Sequence, residues 1–223
     1  MSAFPFDTVG FDLDGTLVDS IRDLGPAVDH ALATIGRPPV APDRVRDLVG
    51  GGSRQMLERA LDLTGGPLPT DGLEALYATL LDQYEAHIAD HTRPYEGCLD
   101  ALDALAARGV APAVVTNKNE HLARLLLQTL GLAGRFCTII GGDTLGPGRA
   151  KPAPDMIVEA MARCGSARFA MVGDSTFDMR AARAAGVPAV GLSFGYADVP
   201  PEQLGADVVI DRYDQLLPAL ERL

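Results

Sequence analysis

Lysine is almost missing from this sequence. Of its 19 basic residues only Lys118 and Lys151 are not arginine, and 30 acidic residues outnumber them, for a formal net charge of −11. So acidic a chain repels a phosphate backbone unless its few cations cluster, which disfavours a nucleic-acid partner. Cysteine is scarce as well. Cys98, Cys137 and Cys164 are odd in number and form no C-x-x-C pair, so neither a disulfide framework nor a structural zinc site is expected, and a reducing cytoplasm is the natural setting. No run approaches ~18 uncharged apolar residues. The N-terminal stretch Met1-Ser2-Ala3-Phe4-Pro5-Phe6-Asp7 meets a carboxylate before any basic or long apolar segment, so neither a membrane span nor an export signal is expected. Repeats and low-complexity tracts are absent too. The 223 residues, 47% of them hydrophobic, suffice for one large globular domain or a domain carrying a smaller insert.

Short apolar runs rich in β-branched residues alternate with helical patterns from Ala111 onward. The runs are Ala111–Val115, Cys137–Ile140, Phe169–Val172, Pro188–Leu192 and Asp207–Ile210, and Val9–Leu13 near the start is a sixth. Between them lie Leu99, Leu102 and Leu105, then Leu122, Leu125, Leu126 and Leu130, then Met156, Ile157, Ala160 and Met161, all at helical spacing. Strand alternating with helix predicts an α/β fold, a doubly wound Rossmann-like parallel sheet. Residues 20–93 differ: three helical patterns, broken at Gly36–Pro42 and Gly65–Pro69, with no convincing strand. The expected organisation is a core of 1–18 and 94–223 with an all-helical cap of 19–93 inserted after strand one.

In an open parallel sheet, ligands bind beyond the carboxyl ends of the strands. Strand one exits into Asp12-Leu13-Asp14-Gly15-Thr16, the Ala111 strand into Thr116-Asn117-Lys118, and the Phe169 strand into Gly173-Asp174-Ser175, with Asp178 a turn beyond. Lys151-Pro152 precedes the helix that begins near Asp155. Carboxylates gathered on one edge repel one another unless a cation joins them, and Mg²⁺ is the hard dication that also binds phosphate oxygens. Asp12 and Asp14 point the same way on a regular strand, so one can attack while its neighbour handles protons. Other patterns fail. Pro147 stands where a phosphate-binding loop at Gly141 and Gly146 needs lysine, Gly50-Gly51-Gly52 follows no strand, and His87 and His91 lack the glutamate of H-E-x-x-H and read as ordinary helix residues.

These segments resemble the haloacid dehalogenase superfamily of phosphohydrolases over essentially the whole chain. Phe11–Ser20 matches its first motif, Val115-Thr116-Asn117 the second, Lys151-Pro152 the third, and Val172-Gly173-Asp174-Ser175 with Asp178 the fourth. Leu48–Gly52, Thr116-Asn117-Lys118, Lys151–Pro154 and Phe194-Gly195-Tyr196 look most like the phosphoglycolate phosphatase branch. The resemblance implies hydrolysis of a small phosphorylated metabolite, with 2-phosphoglycolate as the expected substrate. Asp12 would form an aspartyl-phosphate, and Asp14 would act as acid and then base. Mg²⁺ would be held by Asp12, Asp174 and the Asp14 carbonyl, while Thr116, Asn117 and Lys151 would receive the phosphoryl group. Asp178 and Ser175 would orient these groups from behind. A substrate carboxylate needs a further cation, and Arg54, after the small residues around Gly51, is the expected one. The resemblance leaves a monomer or homodimer open. A sugar-phosphate mutase or sugar-phosphatase on the same scaffold is the nearest alternative, although the insert holds no lysine to control phosphoryl return. A non-catalytic receiver-like module is the more distant alternative, but it needs neither Asp14 nor a large insert.

Overall fold

The computed structural model describes residues 4–223, so Met1–Ala3 of the N-terminal stretch read above lie outside the described residues. Beginning from the N-terminus, β1 (Thr8–Phe11) and β2 (Val18–Asp19) lead into α1 (Ile21–Thr34), α2 (Ser53–Thr64) and α3 (Thr70–Ala86). There follow β3 (Arg93–Pro94), α4 (Cys98–Ala106), β4 (Ala111–Val115), α5 (Glu120–Thr129), β5 (Ile139–Ile140) and α6 (Asp155–Cys164). The chain ends with β6 (Phe169–Gly173), α7 (Thr176–Ala185), β7 (Ala189–Leu192), β8 (Val208–Ile210) and α8 (Leu216–Leu220). Strands β5-β4-β1-β6-β7-β8 form a six-stranded parallel sheet in that order. Taken in sequence, its six strands run 3-2-1-4-5-6, the doubly wound arrangement, in which the chain reverses its direction of travel between β1 and β6.

Parallel strands covered on both faces read as near-continuous apolar runs, and β1 and β6 are buried throughout. Alternate residues serve opposite faces. Val114, Ala170 and Val172 join the core shared with α4, α5 and α8, while Val115, Phe169 and Met171 join the one beneath α6 and α7. The first core continues into the helical insert through Leu24, Val28, Met56, Leu57, Leu80 and Tyr84. Where the chain leaves and rejoins the sheet, β2 and β3 pair antiparallel, Val18 opposite Pro94 and Asp19 opposite Arg93. Asp23 of α1 ties down the return path, its carboxylate accepting from the His91 and Thr92 amides and the Thr92 hydroxyl at 2.6–3.0 Å. Among the described residues no helix is long and apolar enough to cross a membrane.

One expectation is overturned. Cys137, just before β5, and Cys164, the last residue of α6, are joined by a disulfide with Cα atoms 5.8 Å apart; Cys98 is the buried free thiol. The pair is 27 residues apart in sequence. An odd cysteine count without local spacing cannot reveal a bridge made by packing the end of a crossover helix against a strand.

Candidate active site

The register of the sheet sets the site. Phe11 pairs with Val114 on one side and Val172 on the other, so the residues following β1, β4 and β6 emerge side by side at the point of reversal. Beyond Phe11 the chain leaves the strand and turns tightly, the Leu17 and Val18 amides both donating to the Leu13 carbonyl. Gly15 makes the turn possible. Its φ is +81°, and a Cβ there would lie 2.3 Å from an Asp174 oxygen. Because β1 ends at Phe11, Asp12 and Asp14 do not sit on a regular strand, the condition on which they were expected to point the same way, and their side chains have different partners.

Asp12 belongs to a buried cluster. The Lys151 ammonium, itself without solvent exposure, lies 3.0 Å from Asp12 Oδ1 and 2.6 Å from Asp178 Oδ1. Asp178 also caps α7, accepting from the Ser175 amide and hydroxyl. Asp174 accepts from the Thr16 hydroxyl at 2.7 Å and the Tyr196 amide at 2.6 Å. Oxygens of Asp12, Asp174 and Asp178 lie within 4.8 Å of one another, so three carboxylates face one ammonium. Burial, reinforced by Asp178 and only partly offset by Lys151, pushes the Asp12 carboxyl up to about 6. Burial, with Asp178 and Asp12 adding to it, pushes Asp174 well above the usual carboxylate range. Lys151 is pulled down by its burial, yet the two aspartates more than reverse this and hold it above its ordinary value. A compact, oxygen-only, electron-rich set of this kind suits a hard dication such as Mg²⁺.

Asp14 faces elsewhere. It accepts from the Ser20 hydroxyl at 2.6 Å and is paired with the Lys118 ammonium at 2.7 Å. Lys118 is buried, and it lies over the Tyr84 ring of α3, 4.5 Å from the centroid. Thr116 stays near Asp12, and its hydroxyl accepts from the Lys118 amide at 3.3 Å. The Asn117 amide group bridges two segments, donating to the Lys151 carbonyl at 3.0 Å and to the Gly50 carbonyl in the insert at 3.1 Å. The insert comes so close here that a Cβ on Gly52, where φ is +88°, would meet the Asn117 carbonyl oxygen at 2.8 Å.

Asp12, Thr116, Lys151, Asp174, Ser175 and Asp178 are therefore brought together, Asp14 sits alongside, and Asn117 joins their edge to the insert. Gly51 lies in the same turn, half-buried, its backbone packed against the Gln55 side chain. Arg54 is not brought in. Its guanidinium is taken by both oxygens of Glu74 at 2.7–2.8 Å and stacks 4.8 Å from the Tyr77 ring centre, partly exposed to solvent. In this structure the arginine expected to meet a substrate carboxylate instead pairs with a carboxylate on the neighbouring helix. Sequence reasoning assigned no role to Thr16, Ser20 or Lys118, although the rarity of lysine marked Lys118 out.

The family model for haloacid dehalogenase-like hydrolases matches residues 6–186. The chain is 44% identical over 212 residues to a phosphoglycolate phosphatase of Agrobacterium fabrum, covering 94% of this chain and 90% of that one. It is also 34% identical over 226 residues to an N-acetylmuramic acid 6-phosphate phosphatase of Pseudomonas aeruginosa, covering 100% and 98%. Its fold matches the crystal structure of a predicted phosphoglycolate phosphatase from Haemophilus somnus with a TM-score of 0.88 at 30% identity, over 96% of this chain and 98% of that one.

Proposed function

The chain belongs to the haloacid dehalogenase-like hydrolases and is a phosphoric monoester hydrolase, and we propose that it is a Mg²⁺-dependent enzyme converting 2-phosphoglycolate to glycolate and phosphate. Kinship with phosphoglycolate phosphatases over nearly the whole chain is the observation that carries the substrate. The division of labour at the site supports the chemistry. Asp12 is buried against Lys151 and Thr116, which fix its carboxylate and can receive phosphoryl oxygens. Its oxygen attacks phosphorus and the bond to the ester oxygen breaks, leaving an aspartyl-phosphate. Asp14, free of that cluster, passes to the departing alkoxide a proton taken up with the monoester and then takes one from the water that attacks the aspartyl-phosphate, returning Asp12 and releasing phosphate. Asp12, Asp174 and the Asp14 carbonyl would hold Mg²⁺, which would supply positive charge to the phosphoryl oxygens. Asp178 and Ser175 hold Lys151 in line.

The helical insert, 19–93, acts as a cap that excludes bulk water while the ester is broken. Its seam with the sheet is latched by Asn117 on Gly50 and by Asn119, which accepts from the Ser53 and Tyr77 hydroxyls at 2.9 and 3.2 Å. The test is a panel of small phosphate monoesters assayed with Mg²⁺. The highest kcat/KM is expected for 2-phosphoglycolate, and a clear preference for N-acetylmuramic acid 6-phosphate or another sugar phosphate would reject the assignment. Isomerised sugar phosphate among the products would favour a mutase, and a single turnover ending in a stable phosphoprotein would favour a receiver.

A further inference from the structure

We propose that Lys118, with the Tyr84 hydroxyl, is the receptor for an anionic group on the carbon next to the ester oxygen, and so the determinant of specificity for α-phosphoryloxy carboxylates. The proposal rests on the phosphatase reading above and names the residue that chooses its leaving group. A small cavity of about 30 Å³ lies between the insert and the sheet, lined by Leu24, Val49, Met56, Leu80, Tyr84 and Lys118 among others. Its walls are otherwise largely apolar, so Lys118 is the one formal charge facing it. Of the three ammonium protons one is taken by Asp14 at 2.7 Å, and the Tyr84 ring covers another direction. Tyr84 lines the same cavity, and its buried oxygen has no hydrogen-bond partner among the described residues. A buried cation with a donor to spare beside an orphaned hydroxyl is a costly arrangement in an apolar pocket, and an anion accepting from both relieves it.

Distance selects the anion. Asp14 must touch the leaving oxygen to protonate it, and Lys118 touches Asp14, so the ammonium lies within about two hydrogen-bond lengths, ~5–6 Å, of that oxygen. A carboxylate on the adjacent carbon holds its own oxygens about 3 Å from the leaving oxygen, which closes the ring Asp14–Lys118–carboxylate–leaving oxygen at hydrogen-bond distances.

Wild type and Lys118→Met are compared on 2-phosphoglycolate and on ethyl phosphate, which keeps the two-carbon skeleton without the carboxylate. Both activities fall in the variant, because Asp14 loses its partner. The preference for 2-phosphoglycolate, taken as the ratio of the two kcat/KM values, is expected to fall a further ten- to a hundredfold. Lys118→Arg should restore part of that ratio, and Tyr84→Phe should lower it with most of the effect in KM. Should Lys118→Met fold poorly by circular dichroism, Lys118→Gln provides the same comparison. A ratio in the lysine variants within about threefold of wild type overturns the proposal while leaving the phosphoglycolate reading intact. A wild-type enzyme that shows no preference between the two esters overturns that reading, and the role of Lys118 with it.

Discussion

At the carboxyl edge of the sheet the charged groups are buried and find partners from distant segments, whereas in the helical insert most of them lie at the surface and pair locally, the buried Asp23 apart. Lys151, Asp174 and Asp178 are at most 3% exposed. The Arg54–Glu74 and Arg44–Asp47 side chains are 42–56% exposed. The contrast follows from the backbone. Hydrogen-bonded register holds neighbouring strand ends at one level, so the side chains after them converge and can be sealed from water. Three helices joined by glycine- and proline-rich turns meet the sheet along an apolar seam with a few polar latches. In the proposed mechanism the reaction chemistry resides in the sheet edge and the insert encloses the leaving group beside it.

The sharpest test of that division is Asp12→Asn. The isosteric amide removes the nucleophile without changing size, and kcat is expected to fall more than about a hundredfold with the fold intact by circular dichroism. Turnover above that level would move the chemistry away from the edge. Removing metal comes next: EDTA should silence the enzyme, Mg²⁺ should restore it, and Ca²⁺, which prefers more ligands at longer distances, should substitute poorly. Protons compete for the same oxygens. Burial raises Asp12 to about 6, so the folded, metal-free protein binds a proton there that the unfolded chain has already lost. This contribution to stability is present at low pH and disappears as pH rises through about 6. The rise in melting temperature produced by Mg²⁺ should accordingly grow between about pH 5 and about pH 7, and a pH-independent rise would deny the cluster a metal.

Asp14→Asn probes the seam between the two regions. The loss should be greater for alkyl phosphates than for nitrophenyl phosphate, whose leaving group needs no proton, and equal losses on both would remove the acid role. The smallest effect is expected of Arg54→Ala in the insert: activity on 2-phosphoglycolate and ethyl phosphate within about threefold of wild type, and a stability change of about 0.2–1 kcal/mol by denaturant titration, as for other exposed ion pairs. A loss confined to 2-phosphoglycolate would return Arg54 to the site.

Much of this molecule is legible in its linear order. Buried parallel strands are short apolar runs, amphipathic helices carry their own period, and ligand-binding residues follow the strands, so the sheet, the three insert helices and the edge bearing Asp12, Thr116, Lys151 and Asp174 can be read from the chain alone. Pairings across long separations cannot. Lys118 meets Asp14 across 104 positions and Thr16 meets Asp174 across 158. Tyr196 supports Asp174 from the loop after β7. Cys137 reaches Cys164, and Arg54 is lost to Glu74. Each of these depends on strand order, on the angle at which a helix crosses its neighbour, or on where a strand stops. Residue type and spacing encode which face a side chain occupies, but the side chain opposite is chosen only when distant segments pack, because burial rewards whichever partner satisfies a charge or hydroxyl at that distance.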